Sequence, residues 1–216
     1  GQGNLAYEDA GRFIRDELTS YDLDVKINRY SFTDINGQTN PEAYNICGFK
    51  EGTTYPDEWL VFGAHFDIAP IIVPTAPDAG TPRGYGTFTG AYDNTAGSSM
   101  VLTVAAAMSK LDTRRTMVFC FWSGEEGGKR GSDYWTEHFV KEENPQVTVT
   151  NYVNLDMAGV NWPGNMTPSD RVGPDGGGSY PSAKDQWPLR VYIGPDESED
   201  EINQPGMVWL SAWIGA

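Results

Sequence analysis

Six residues stand out by type and spacing. His65 and Asp67 close an apolar run, EWLVFGAHFD (58–67). Glu125 and Glu126 close a second, RTMVFCFWSGEE (115–126), and Asp156 lies near the end of a third, TNYVNLDMAG (150–159). Asp93 opens the helical segment between the first two runs. Carboxylates crowded at the mouth of one sheet repel one another, and a cation removes that cost. One imidazole beside several carboxylates is a donor set that suits zinc. His65 and Asp67 are two apart on a strand, so both face the same side. Asp67 is then placed to accept the second ring N–H of His65 and fix its tautomer. Glu125 and Glu126 are adjacent and point in different directions, so one can bind metal while the other takes a proton from water. Asp93 falls at a helix N-terminus, where the dipole and free N–H groups favour an anion. Singly, these would be a helix cap, an exposed turn and a polar strand end. Their joint occurrence at three strand ends and one helix start points to a metal site.

The elements that position these residues follow from periodicity. Residues 5–20 form an amphipathic helix, with Ala6, Ala10, Phe13, Ile14 and Leu18 at helical spacing. DVKINRYSF (24–32) and AYNICGFKE (43–51) read as strands, separated by a turn at Asn36-Gly37. They form an antiparallel hairpin at a sheet edge. The three apolar runs read as buried central strands. Between them, residues 94–111 place Val101, Val104, Ala105, Met108 and Leu111 on one helix face, and residues 129–142 form a more polar helix. Alternating strands and helices give parallel strands with helices on both faces. The expected fold is therefore a three-layer α/β/α sandwich with a mixed, mainly parallel sheet. LRVYIG (189–194) is a further strand. Loops 69–90 and 161–188 follow strand C-terminal ends, where open α/β sheets bind ligands. The acidic stretch 196–201 reads as a solvated helix start.

Composition narrows the function classes. The 216 residues suit one domain, and 7 Trp, 11 Tyr and 9 Phe suffice for a core. Thirty Asp+Glu against 15 Lys+Arg give a net charge of −15, which repels a nucleic-acid backbone and argues against a DNA or RNA partner. The plainest effect of this charge is solubility. No apolar run reaches the ~18–20 residues of a membrane span. Cys47 and Cys120 lie in apolar strands and read as buried free thiols, with a disulfide between adjacent strands as the alternative. No feature of the sequence specifies an oligomeric state.

The segments Gly63-Ala64-His65-Phe66-Asp67, Gly90-Ala91-Tyr92-Asp93-Asn94-Thr95-Ala96-Gly97, Ser123-Gly124-Glu125-Glu126-Gly127, Gly131-Ser132 and Asn154-Leu155-Asp156-Met157 resemble, in order and spacing, the M28 family of zinc metallopeptidases. The resemblance runs from about residue 5 to 160 and is loose beyond. It implies that Asp93 bridges two zinc ions, that His65 and Asp156 complete one zinc, and that Glu126 binds the other. Glu125 is then the general base and Asp67 the partner of His65. A cis peptide between Asp93 and Asn94 is also implied.

One departure is plain. The family's second zinc takes a further His, and this sequence has two His in all, the other being His138 on the 129–142 helix, where a surface role is expected. The missing ligand is expected beyond Ala216, so residues 1–216 read as a single catalytic domain lacking its C-terminal segments. Such a chain would hold one or two zinc ions where the complete domain holds two. The implied activity is exopeptidase, most simply an aminopeptidase acting on peptides with a free N-terminus. Alternatives are a glutaminyl cyclase-like acyltransferase and a non-catalytic binding domain. An extracellular or cell-envelope location follows from the family, and Asn165-Met166-Thr167 matches a glycosylation acceptor.

Overall fold

The computed structural model describes residues 5–34, 37, 39–68, 90 and 93–156. Helix α1 spans Leu5–Ser20. Its buried face runs through Gly11, Ile14 and Leu18, at the spacing of one helical stripe. Phe13, expected on that face, is 59% exposed. The stripe passes instead through Gly11, where a Cβ would meet the ring of Tyr44. The absence of a side chain, rather than an apolar one, lets this helix approach the sheet.

Strands β1 (Asp24–Thr33) and β2 (Thr39–Lys50) pair antiparallel, as the hairpin reading expects, with a bulge between Tyr30 and Phe32. Strand β3 (Tyr55–His65) is followed by α2 (Thr95–Met108), β4 (Arg115–Trp122), α3 (Arg130–Tyr134) and β5 (Thr148–Asn154). The sheet order is β1-β2-β4-β3-β5. β3 runs parallel to β4 and to β5, while β2 is antiparallel to β4. The sheet is therefore mixed, and the C-terminal ends of β3, β4 and β5 share one edge.

Two apolar layers flank it. Ile14 and Leu18 of α1 and Val101 and Ala105 of α2 pack with Ile46, Phe119 and Phe121 on one face. Trp135 and Phe139 pack with Trp59, Val61 and Trp122 on the other. Helices on both faces make the three layers expected. The helix after β4 departs from a simple reading: beyond Tyr134 it continues as a π-helical segment, Trp135–Glu143. Leu111, expected on the α2 face, lies past the helix end and is exposed. β5, read as a buried central strand, is mostly exposed and forms an edge among the described residues.

The cysteines correct the thiol reading. Cys47 and Cys120 are directly paired on antiparallel β2 and β4, with Cα atoms 4.1 Å apart, and form a disulfide. Facing positions on neighbouring strands bring the two side chains close enough to bridge. Loop 161–188, strand 189–194, the acidic stretch and Asn165 lie outside the described residues, as does loop 69–90 apart from Gly90.

Candidate metal centre

His65 is the last residue of β3, so the imidazole emerges at the shared sheet edge while only 3% exposed. Its Nε2 lies 3.0 Å from Asp93 Oδ1, 3.5 Å from Asp156 Oδ1 and 4.0 Å from Glu125 Oε2. Asp67 lies two residues beyond the strand. Its main-chain oxygen is 3.2 Å from His65 Nδ1 and its Oδ1 is 3.5 Å away. The backbone carbonyl is thus the nearer acceptor for the ring N–H. The Asp67 carboxylate has further work: Oδ1 and Oδ2 accept the main-chain N–H groups of Glu125 and Glu126, each at 3.3 Å.

The turn after β4 carries both glutamates. Gly124 and Gly128 adopt φ of 68° and 107°, a region that L side chains rarely enter. Gly128 and Lys129 donate to the Glu125 carbonyl, and Arg130 donates to that of Gly124. The turn is therefore a closed hydrogen-bonded unit.

Asp93 precedes α2, joined to Asn94 by a cis peptide bond. The N-cap is Asn94, one residue later than the expected helix start, and its side chain accepts the Gly97 N–H at 3.0 Å. The same side chain donates to the Leu155 carbonyl at 3.0 Å, next to Asp156. Ser98 of α2 donates to the His65 carbonyl at 2.9 Å. Each of the three strand ends is thus tied to another element near its acidic residue. Asn94 and Ser98 were not assigned these roles from sequence. An Asn three residues before a Gly at a helix start is the cap signal that could have marked Asn94.

Two donor groups result. The ligand-type atoms of His65, Asp93 and Asp156 lie within 4.8 Å of one another, and so do those of His65, Glu125 and Glu126. Among the described residues, no Lys or Arg pairs with any of these carboxylates or with Asp67. Burial raises Glu125 above the ordinary carboxylate range; His65 lowers it, and Asp156, Asp67 and Asp93 raise it further. Glu126 is raised by burial and then by Asp93. Burial pushes His65 down, but Asp67, Asp156 and Glu125 outweigh it and lift the imidazole to about 9. The Oε1 atom of Glu126 is buried with no hydrogen-bond partner. A buried carboxylate oxygen without a donor is costly, and a divalent cation would satisfy it. The residues present therefore fit a metal.

His138 is outside this arrangement. It is exposed on the π-helical segment and lies 2.9 Å from Glu142. With Tyr30, Arg130 and Tyr134 it lines a shallow surface pocket.

The sequence pattern of peptidase family M28 matches residues 45–193, well over half of the chain. The chain belongs to peptidase family M28. A probable glutamate carboxypeptidase of Arabidopsis thaliana, LAMP1, is 27% identical over 177 residues, covering 80% of this M28 chain and 21% of that protein. Aminopeptidase YwaD of Bacillus subtilis is 29% identical over 125 residues, covering 57% of the chain and 24% of its own length. The chain thus spans about a quarter or less of these relatives. Among solved structures, a Zn-dependent exopeptidase from Parabacteroides distasonis has a TM-score of 0.60 at 21% identity, with 73% of this chain and 56% of that one covered. A glutaminyl cyclase from Tannerella forsythia has a TM-score of 0.58 at 17% identity, with 74% and 57% covered. These structures share the α/β fold of the M28 chain.

Proposed function

We propose that this chain is catalytic sequence from a zinc-dependent exopeptidase, an aminopeptidase that removes residues from peptides with a free N-terminus. The observation that carries the reading is the meeting of two acidic donor groups on one imidazole, His65, with the buried and unpartnered Oε1 of Glu126 among them. His65, Asp93 and Asp156 would hold one zinc ion. Glu126, sharing Asp93, would contribute to a second. Zinc, when bound, supplies a Lewis acid that polarises a carbonyl and acidifies water.

The remaining chemistry belongs to the chain. Glu125 takes a proton from the attacking water on its carboxylate and delivers it to the leaving amine. Burial, which raises its proton affinity, suits it to both steps. Asp67 holds the glutamate turn through two N–H groups and lies within reach of the His65 ring. The surplus of carboxylates attracts the ammonium of a substrate N-terminus. The buried Cys47–Cys120 disulfide supports an extracellular or cell-envelope location, because such bonds persist in oxidising compartments.

The test is metal content and turnover on one preparation. Dialysis against trace zinc followed by elemental analysis should give about one or two ions per chain. The loaded chain should release aniline from aminoacyl-anilides and spare N-acylated analogues. Cleavage only at peptide C-termini would replace the aminopeptidase reading with a carboxypeptidase one. Exopeptidases and glutaminyl cyclases share this fold, so a peptide beginning with Gln belongs in the same assay. Ring closure without amide hydrolysis would favour the cyclase alternative, and absence of any metal uptake would favour the binding domain.

A further inference from the structure

Asn45 is a fully buried amide on β2, in a buried stretch, residues 43–48, that is otherwise apolar. Because β2 runs antiparallel to β4, Asn45 lies where the chain leaves β4, one residue before the Ile46–Phe121 pair. Its Oδ1 accepts the main-chain N–H of Ser123 at 3.2 Å, and its Nδ2 donates to the carbonyl of Gly131 at 2.8 Å. Ser123 and Gly131 are the two ends of the turn that carries Glu125 and Glu126. One side chain thus closes that turn from outside the site.

Its surroundings fix it there. Tyr30 donates to the Ser123 carbonyl at 2.6 Å and Tyr7 donates to Ser123 Oγ at 2.8 Å. Burial raises both phenols above their ordinary value, so they remain protonated donors. The N–H, carbonyl and hydroxyl of Ser123 are therefore bonded to β2, β1 and α1 respectively. Gly131 has no room for a Cβ, which would meet Ser123, Asn45 and Tyr30. A buried network satisfied at every member is rigid, and its geometry passes to the groups attached to it. Phe32 lies against both Gly124 and Gly127 of the turn.

We propose that Asn45 is a positioning residue for Glu125 and Glu126: by joining Ser123 to Gly131 it sets where the two carboxylates stand. Its link to metal and catalysis rests on the zinc exopeptidase reading; its hold on the turn does not. The fold has a separate fastening at this place, since the Cys47–Cys120 disulfide joins the same two strands two residues away. Loss of the amide should then loosen the turn more than the sheet.

The test compares the wild type with Asn45→Ala and the near-isosteric Asn45→Asp, which keeps an acceptor for Ser123 but sets a carboxylate oxygen against the Gly131 carbonyl. Hydrogen exchange in the metal-free chain should accelerate at least about tenfold over 123–131 and leave β3 and α2 unchanged. In titrations with Co2+, read by its visible absorption, affinity should fall by roughly 10–100-fold in both variants. In the zinc-loaded chain kcat should fall while KM holds. Unchanged exchange over 123–131 in a folded variant overturns the proposal, as does a uniform rise across the whole sheet. Unchanged Co2+ affinity overturns the positioning role even if exchange responds. A wild type that takes up no Co2+ sinks the zinc reading instead, and the exchange result still decides what Asn45 does to the turn.

Discussion

Asn94 donates its side-chain amide to the carbonyl of Leu155 at 3.0 Å, which fastens the start of α2 to the residue before Asp156. Asp93 and Asp156, both within 3.5 Å of His65 Nε2, are the immediate chain neighbours of that bond. That bond therefore ties together the two backbone segments that carry these carboxylates.

Gly97 tests this junction. A Cβ there would meet the Leu155 carbonyl and the Asn94 side chain. Backbone on one side leaves little to yield, so Gly97→Ala should destabilise the chain by about 1–3 kcal/mol, as overpacking does. It should also weaken metal uptake by moving Asp156 away from Asp93. Urea unfolding and a zinc titration measure the two effects. A variant with wild-type values for both would mean that the junction is slack.

Glu125→Gln separates proton transfer from metal binding. The amide cannot accept the water proton, and the turn remains held by Asp67 through main-chain N–H groups. Hydrolysis of aminoacyl-anilides should fall by roughly 10²–10⁴-fold while zinc content stays within error of wild type. Turnover within threefold of wild type would remove Glu125 as the general base.

The disulfide closes a sequence separation of 73 residues between two central strands. Cross-linking restricts the unfolded chain, so the Cys47→Ala, Cys120→Ala double variant should lose about 2–4 kcal/mol in urea unfolding. The turn that carries Glu125 and Glu126 is also held by Asn45 and Asp67, so the donor groups should keep their metal affinity when the variant is folded. A stability unchanged within about 0.5 kcal/mol would mean that the apolar packing at this point already holds the two strands.

Much of this was legible because strong periodic signals dictate it. The apolar runs of β3 and β4 became strands side by side, and His65, Asp93, Glu125, Glu126 and Asp156 met at one edge. Where the sequence misled, a contact outweighed a pattern. Phe13 has the right spacing for α1, yet the helix turns its Gly11 face to Tyr44. Cys47 and Cys120 looked like inert apolar positions because register, which pairs them, is not written in either segment alone. Asn45 carries no local signal beyond being polar within an apolar stretch, residues 43–48. Its role appears only when the exit of β4 is placed beside it.

The pH dependence of the metal-free chain follows from the same crowding. His65 is raised to about 9 by its carboxylate neighbours after burial has lowered it. Folded imidazole thus keeps a proton that an unfolded one releases near 6.5. The pairing stabilises the fold fully below that value and is lost as pH rises through about 9. Glu125 and Glu126 are raised above 4.5, so they act in the same direction: the folded state binds more protons than the unfolded one. Stability in urea should therefore fall steadily from about pH 6 to about pH 9 without metal. Zinc competes with these protons, so its stabilising increment should grow over the same interval. Equilibrium unfolding at three pH values, with chelator and with excess zinc, gives both slopes. A metal-free chain whose stability rises with pH would show that the carboxylates do not hold His65 protonated. An increment that shrinks with pH would show that zinc binds elsewhere.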